Sequence, residues 1–168
     1  MYKVKGIELG VAKAGIKYPD KTDLLLIKAA AGTTIAGIFT QNAFCAAPVH
    51  LCKNNLALVD QKQPIYLLVN TGNANAGTGA QGMQDVIACT QFMADSTASA
   101  KEQIFPFSTG VIGEKLAVDK IIKAIADVIS DLRIDNWENA AQAILTTDTV
   151  AKKSTRQLQL QGQMVSIS

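Results

Sequence analysis

Apolar and polar positions divide this 168-residue chain into short strands and amphipathic helices. Asp23-Leu24-Leu25-Leu26-Ile27-Lys28 and Thr34-Ile35-Ala36-Gly37-Ile38-Phe39, separated by an Ala-Gly segment, read as two early strands that pair with each other. Pro48 suits the first turn of a helix that carries Val49, Cys52 and Leu56 on one face. Pro64-Ile65-Tyr66-Leu67-Leu68-Val69-Asn70 is a continuous apolar run, the signature of a strand buried on both faces and central to a sheet. A loop rich in Gly and Asn, Thr71 to Gly82, then leads into a helical pattern at Val86, Ile87, Thr90 and Met93. Ile104-Phe105-Pro106-Phe107 reads as another short strand, with Ser108-Thr109-Gly110-Val111-Ile112-Gly113-Glu114 as a polar turn at its end.

Further along, Asp119 can cap a helix whose Ile121, Ile122, Ile125, Ile129 and Leu132 share one face. Asp135 with Glu138 makes a capping-box-like start for a helix running through Asn139 to Leu145, which Thr146-Thr147-Asp148-Thr149 ends. The tail alternates Leu158, Leu160, Val165 and Ile167 around Gln161-Gly162, a hairpin with one buried face. These elements predict an α/β fold of mixed sheets with packed helices. The alternation runs to the last residue, which favours a fragment, with a C-terminal edge strand as the alternative.

Length and a hydrophobic fraction of 48% allow one domain, residues 1–168, with an ordinary core. Sixteen Lys and Arg against fourteen acids, a net charge of +2, are too balanced for a nucleic-acid or anionic-membrane binder; small polar ligands fit better. Aromatics are only 5%, and none form a stacking series among basic residues, so nucleic acid is not an expected partner. No apolar stretch approaches the roughly 20 residues of a membrane span, and the start from Met1 to Gly6 lacks the apolar core of a signal peptide. A cytoplasmic protein is expected. The odd set of Cys45, Cys52 and Cys89 matches no disulfide framework, and reduced thiols are expected.

Several short motifs carry candidate chemistry. Gly77-Thr78-Gly79-Ala80-Gln81-Gly82 is literally G-x-G-x-x-G, but six residues separate it from Asn70 and Ser108 stands where a ribose-binding acid is needed, so a dinucleotide site is disfavoured. Thr71 to Ala76, after the strand ending at Asn70, holds either a loop whose Gly and Asn take positive φ, or polar groups aimed at a ligand or a reacting group; three Asn within six residues at a strand end favour the second. Cys45, His50 and Cys52 match no closed zinc set, and core packing suits Cys52 and Cys89 better. Ser108-Thr109-Gly110 is either a plain turn or a place where a hydroxyl and backbone N–H groups converge, as an oxyanion hole requires. Thr146-Thr147-Asp148-Thr149 offers three hydroxyls and a carboxylate, or merely ends a helix.

Four blocks, taken together and in order, resemble the bifunctional ornithine acetyltransferase and N-acetylglutamate synthase family. They are Gly37–Asn42 with Ala46-Ala47-Pro48-Val49, then Asn70–Ala76, Ser108–Glu114 and Ala143–Thr149. One departure is Gly77, where that family commonly has a cysteine without an assigned catalytic role.

The resemblance implies a layered α/β/β/α-type fold and a precursor that cuts itself before a threonine. The released β chain begins with that nucleophile, whose free amine acts as its base. This chain then looks like most of the α chain. The substrate lysine and the nucleophile lie beyond Ser168, so the fragment alone is expected to be inactive. The threonine attacks the acetyl carbonyl of N2-acetylornithine, and glutamate then takes the acetyl group. Thr109 and Gly110 are implied as the oxyanion hole, and Thr146 and Thr147 as substrate contacts. No cofactor or metal is implied; acetyl-CoA is a candidate alternative donor, and the implied partner is the β chain in an α2β2 assembly. The rival readings are a family homologue using another acyl donor or acceptor, and a small-molecule-binding module without chemistry.

Overall fold

The computed structural model describes residues 1–168. Four strands form a mixed sheet in the order β1-β2-β3-β4: β1 Ile7–Ala12, β2 Leu24–Ala29, β3 Ile65–Asn73 and β4 Ile104–Val111. β1 with β2 and β2 with β3 are antiparallel, and β3 with β4 is parallel. The central place expected for the Pro64–Asn70 run is thus occupied by β3, which lies between β2 and β4. The expected α/β class, a mixed sheet with packed helices, holds.

Period-2 alternation sends Leu24, Leu26, Tyr66, Leu68 and Ile104 to one face. There α2 (Gly79–Ser96) and α3 (Val118–Ser130) bury Cys89, Met93, Ile121, Ile125 and Val128 in the main core. Gly10 lets α3 lie directly on β1: a Cβ at that position would fall 2.1 Å from the Val128 carbonyl oxygen. On the opposite face α4 (Trp137–Ala143) packs Ala140 and Ala143 against Leu9 and Leu25. There α1 (Ala47–Leu58) sets Cys52 among Ala29, Ile65 and Phe105.

α1 also closes the outer edge of β4, where Asn55 donates to the Ile104 carbonyl at 2.7 Å and the Cys52 thiol to the Pro106 carbonyl at 3.1 Å. Pro106 is tolerated because an edge strand leaves its missing N–H on the unpaired side. The outer edge of β1 is closed in turn by Arg133, whose backbone exchanges bonds with Leu9 at 2.9 and 3.0 Å, and by Asp131, which accepts from Val11 N–H.

Several expectations are corrected. Thr34–Phe39 forms no strand; β2 pairs with Ile7–Ala12 instead, and with β3 on its other side it has no free edge. Ile35 and Phe39 pack beneath α1, while Ile38 stands fully in solvent. Asp119 is not a cap. It lies inside the first turn of α3, after Ala117, where a carboxylate favours the positive helix end. No capping box forms at Asp135 and Glu138. Asn136 takes the N-cap position of α4, and its side chain turns instead to Leu9 O, Asp131, Arg133 and Asn139. The helix itself stops at Ala143, short of the expected Leu145.

The expected hairpin is present as β5 (Arg156–Leu160) and β6 (Gln163–Ile167) around Gln161-Gly162. Its apolar face is not buried: Leu158, Leu160, Val165 and Ile167 are all exposed.

Candidate functional site

The polar loops expected after the two parallel strands begin as strand. β3 continues to Asn73 and β4 to Val111, so Ser108, Thr109 and Gly110 lie in register with Asn70, Thr71 and Gly72. This corrects the reading of Ser108–Glu114 as a turn beginning at the strand end. Parallel pairing puts the C-terminal ends of both strands side by side, where open α/β sheets bind ligands. Gly110, at φ +138°, packs on Gly72, at φ +95°, so closely that a Cβ on Gly110 would lie 2.3 Å from the Gly72 carbonyl carbon.

Beneath this edge lies a buried polar scaffold. Ser108 donates to the Asn70 side-chain oxygen at 2.6 Å, and the Asn70 amide donates to the Asn73 carbonyl at 2.9 Å. The Asn73 amide donates to the Glu114 and Lys115 carbonyls, while its side-chain oxygen accepts from Asn75 N–H at 2.8 Å. Asn75, fully buried at φ 45°, donates to Gly82 O and accepts from Thr78. All three asparagines are therefore spent on the protein's own backbone and side chains. The expectation that they aim at a ligand is overturned, and the alternative of a loop needing left-handed residues accounts for Asn75 and Gly72. The G-x-G-x-x-G run is likewise divided between this loop and the first turn of α2, which begins at Gly79.

A cavity of about 420 Å³ opens above the scaffold. Its walls bring Thr109 and Gly110 together with Thr146 and Thr147, the two pairs singled out in the sequence. All four are exposed. Thr71, buried beside Thr109, donates through its hydroxyl to the Ala143 carbonyl at 3.2 Å, drawing the end of α4 toward the strand ends. The outer edge of β4 is the one whose Ile104 and Pro106 carbonyls meet α1.

The remaining wall, Lys17, Tyr18, Lys21 and Asp23, escaped sequence reasoning. Asp23 is buried, and its carboxylate accepts from Ala14, Gly15 and Ile16 N–H at 2.7, 3.3 and 2.6 Å, which folds the β1–β2 loop over the cavity. Lys17 stands 3.7 Å from Glu114, and Lys21 donates to the Leu145 carbonyl. The available signal was an Asp directly before an apolar strand and after a Gly-containing loop, but the role of Lys21 depends on a contact 124 residues away.

A second, mainly apolar cavity of about 450 Å³ lies on the α1 side of Thr109, lined by Phe39, Pro48, Val49 and Phe107 among others. Cys52 and Cys89 are core thiols, as their packing predicted. No three His, Cys, Asp or Glu side chains converge as metal ligands, and no helix is long and apolar enough to cross a membrane.

A family model described as the ArgJ family matches residues 8–168. The chain belongs to the ArgJ family. The arginine biosynthesis bifunctional protein ArgJ of Pseudomonas fluorescens is 47% identical over 168 residues, and that of Methylococcus capsulatus is 46% identical over 165. These alignments cover 100% and 98% of this chain but 40% of each relative, so the chain spans about two fifths of their length. Among solved structures, ArgJ from Bacillus halodurans matches with a TM-score of 0.82 and 29% identity, over 98% of this chain and 84% of that one. An ornithine acetyltransferase from Mycobacterium tuberculosis, complexed with ornithine, matches with a TM-score of 0.83 and 28% identity, over 97% and 86%. The ArgJ assignment agrees with the resemblance carried by the four sequence blocks.

Proposed function

We propose that this chain is the greater part of the α chain of a self-cleaving acetyltransferase in arginine biosynthesis, moving acetyl from N2-acetylornithine to glutamate. The observation that carries the reading is the single cavity at the strand ends, walled by Thr109–Gly110 on one side and Thr146–Thr147 on the other. The ammonium of Lys17 in its wall suits the carboxylate that both amino acids share.

In this reading the nucleophile is the first threonine of a β chain that completes the site. Its amine takes the hydroxyl proton as the oxygen attacks the acetyl carbon. The oxyanion that forms accepts from the Thr109 hydroxyl and Gly110 N–H. Collapse breaks the C–N bond, ornithine leaves with the proton, and the acetyl group remains as a threonine ester. The glutamate amine then attacks that ester, regenerating the hydroxyl and releasing N-acetylglutamate. Thr146 and Thr147 hold the substrates, and no cofactor takes part. Acetyl-CoA is the alternative acetyl donor in this reading. Two α and two β chains assemble in the cytoplasm, and the 168 residues alone do not turn over substrate.

The test is to produce the complete protein and follow precursor cleavage by gel and N-acetylglutamate formation from N2-acetylornithine and glutamate. Cleavage with transfer supports the reading. A complete protein that neither cleaves nor transfers, or transfer by the 168-residue chain alone, overturns it.

A further inference from the structure

We infer that Lys21 is a positioning residue that holds Thr146 and Thr147 opposite Thr109 and Gly110, a role that rests on the acetyl-transfer reading of the cavity. The ammonium of Lys21 donates to the Leu145 carbonyl at 2.5 Å, across 124 residues of chain. That carbonyl lies two residues past the end of α4 and immediately precedes Thr146. Ala143 O, one of the groups a helix C-terminus leaves without an internal partner, is taken by Thr71. The two bonds come from residues that themselves line the cavity, so the end of α4 is fixed to the site and not merely capped. A cation there also meets the negative end of the helix.

The base on which Lys21 stands is rigid. Asp23 clamps three backbone amides of the same loop, and Lys120 donates to the Gly15 carbonyl at 2.6 Å. Lys21 N–H closes a turn on the Tyr18 carbonyl at 3.3 Å. Past Leu145, by contrast, the nearest side-chain anchors are the surface pairs of Lys152 with Asp148 and Lys153 with Glu138. Without Lys21, Thr146 and Thr147 keep their chemistry and lose their fixed distance from Thr109.

In the complete protein, Lys21→Met is expected to raise KM for N2-acetylornithine roughly tenfold, with kcat changed less than about twofold. Hydrogen exchange at the amides of Leu145 to Thr147 should quicken by roughly tenfold while β3 stays protected. Lys21→Arg keeps the cation and should restore both values. Unchanged KM and exchange in Lys21→Met overturn the inference. So does a parallel fall in Tm and kcat that Lys21→Arg does not reverse, which assigns Lys21 to stability alone. If the wild-type protein transfers no acetyl group, the function reading falls, and the exchange contrast between Lys21→Met and Lys21→Arg still decides whether Lys21 positions the loop.

Discussion

Gly110 and Gly72 touch backbone to backbone at the ends of the two parallel strands, with room for no Cβ between them: one on Gly110 would meet the Gly72 carbonyl carbon at 2.3 Å and Asn73 N at 2.5 Å. Those neighbours are main-chain atoms and cannot swing aside. Gly110→Ala is therefore expected to destabilise the protein by at least about 2–3 kcal/mol, combining overpacking with a positive φ. Gly113 is the control, at φ +80° with nothing within 4 Å. Gly113→Ala should cost only the left-handed conformation, roughly 1–2 kcal/mol. Urea unfolding of both variants checks the difference, and equal losses would show that the close approach is not rigid.

Asn73 joins three segments, donating to Glu114 and Lys115 and accepting from Asn75. It is buried. Asn73→Ala would strand polar groups away from water, at roughly 1–3 kcal/mol for such a deletion. Because Asn75 orders the entry to α2, exchange should quicken at Asn75 and Gly82 before it does in β1.

The strand at Ile65 to Asn70 was legible because a run apolar on both sides can only be central, and its burial agrees. Thr34–Phe39 misled because strand propensity registers a side chain's fit to a half-buried surface, whereas a strand also needs a free edge to pair with. Both edges of Leu24–Ala29 were already taken. The hairpin's alternation was legible as local structure, but alternation says nothing of whether a partner surface is present; Leu158 to Ile167 find none in this chain. Thr109, Gly110, Thr146 and Thr147 were legible as two separate motifs, and the structure brings them to one cavity. Asn70, Asn73 and Asn75 were read outward because composition cannot tell an amide facing a ligand from one closing its own turn. Lys21 and Asp23 were silent because their meaning lies in contacts with Leu145 and with three amides of a folded loop.

Burial pushes the Cys52 thiol up to about 11, and burial with the nearby Asp85 charge pushes Cys89 up to about 12, from the ordinary 9.0. Both thiols are held neutral in the folded state. The sign follows: their contribution is fully present below pH 9, declines as pH rises past that value, and is lost once pH exceeds about 11 and 12. Lys28, raised by its hydrogen bond to Glu8 against partial desolvation, acts in the same direction at higher pH. Stability measured by urea should therefore fall steadily above pH 9. Cys89→Ala should be less stable at pH 7, because it leaves a cavity, yet show a shallower alkaline slope. An unchanged slope would mean that Cys89 does not couple ionisation to folding.

Thr109 offers the most direct test of the proposed chemistry. It is exposed in the cavity wall, in register with buried Thr71 and next to Gly110. If its hydroxyl donates to the oxyanion, the bond strengthens only as charge develops. Thr109→Ala in the complete protein should then lower kcat by roughly 10²–10³, about 3–4 kcal/mol, with little change in substrate binding. Thr109→Val is the sharper variant, because it keeps the β-branched shape that a strand favours and removes only the hydroxyl. A matching loss in Thr109→Val assigns the effect to hydrogen bonding. Near-normal turnover there, with a loss in Thr109→Ala, assigns it to side-chain shape. The same donors can polarise the scissile carbonyl during self-cleavage, so processing of each precursor has to be followed by gel beside the steady-state rates. Should Thr109→Val both mature and turn over normally, the hydroxyl is not the donor, and the Gly110 N–H or a group of the β chain must hold the oxyanion.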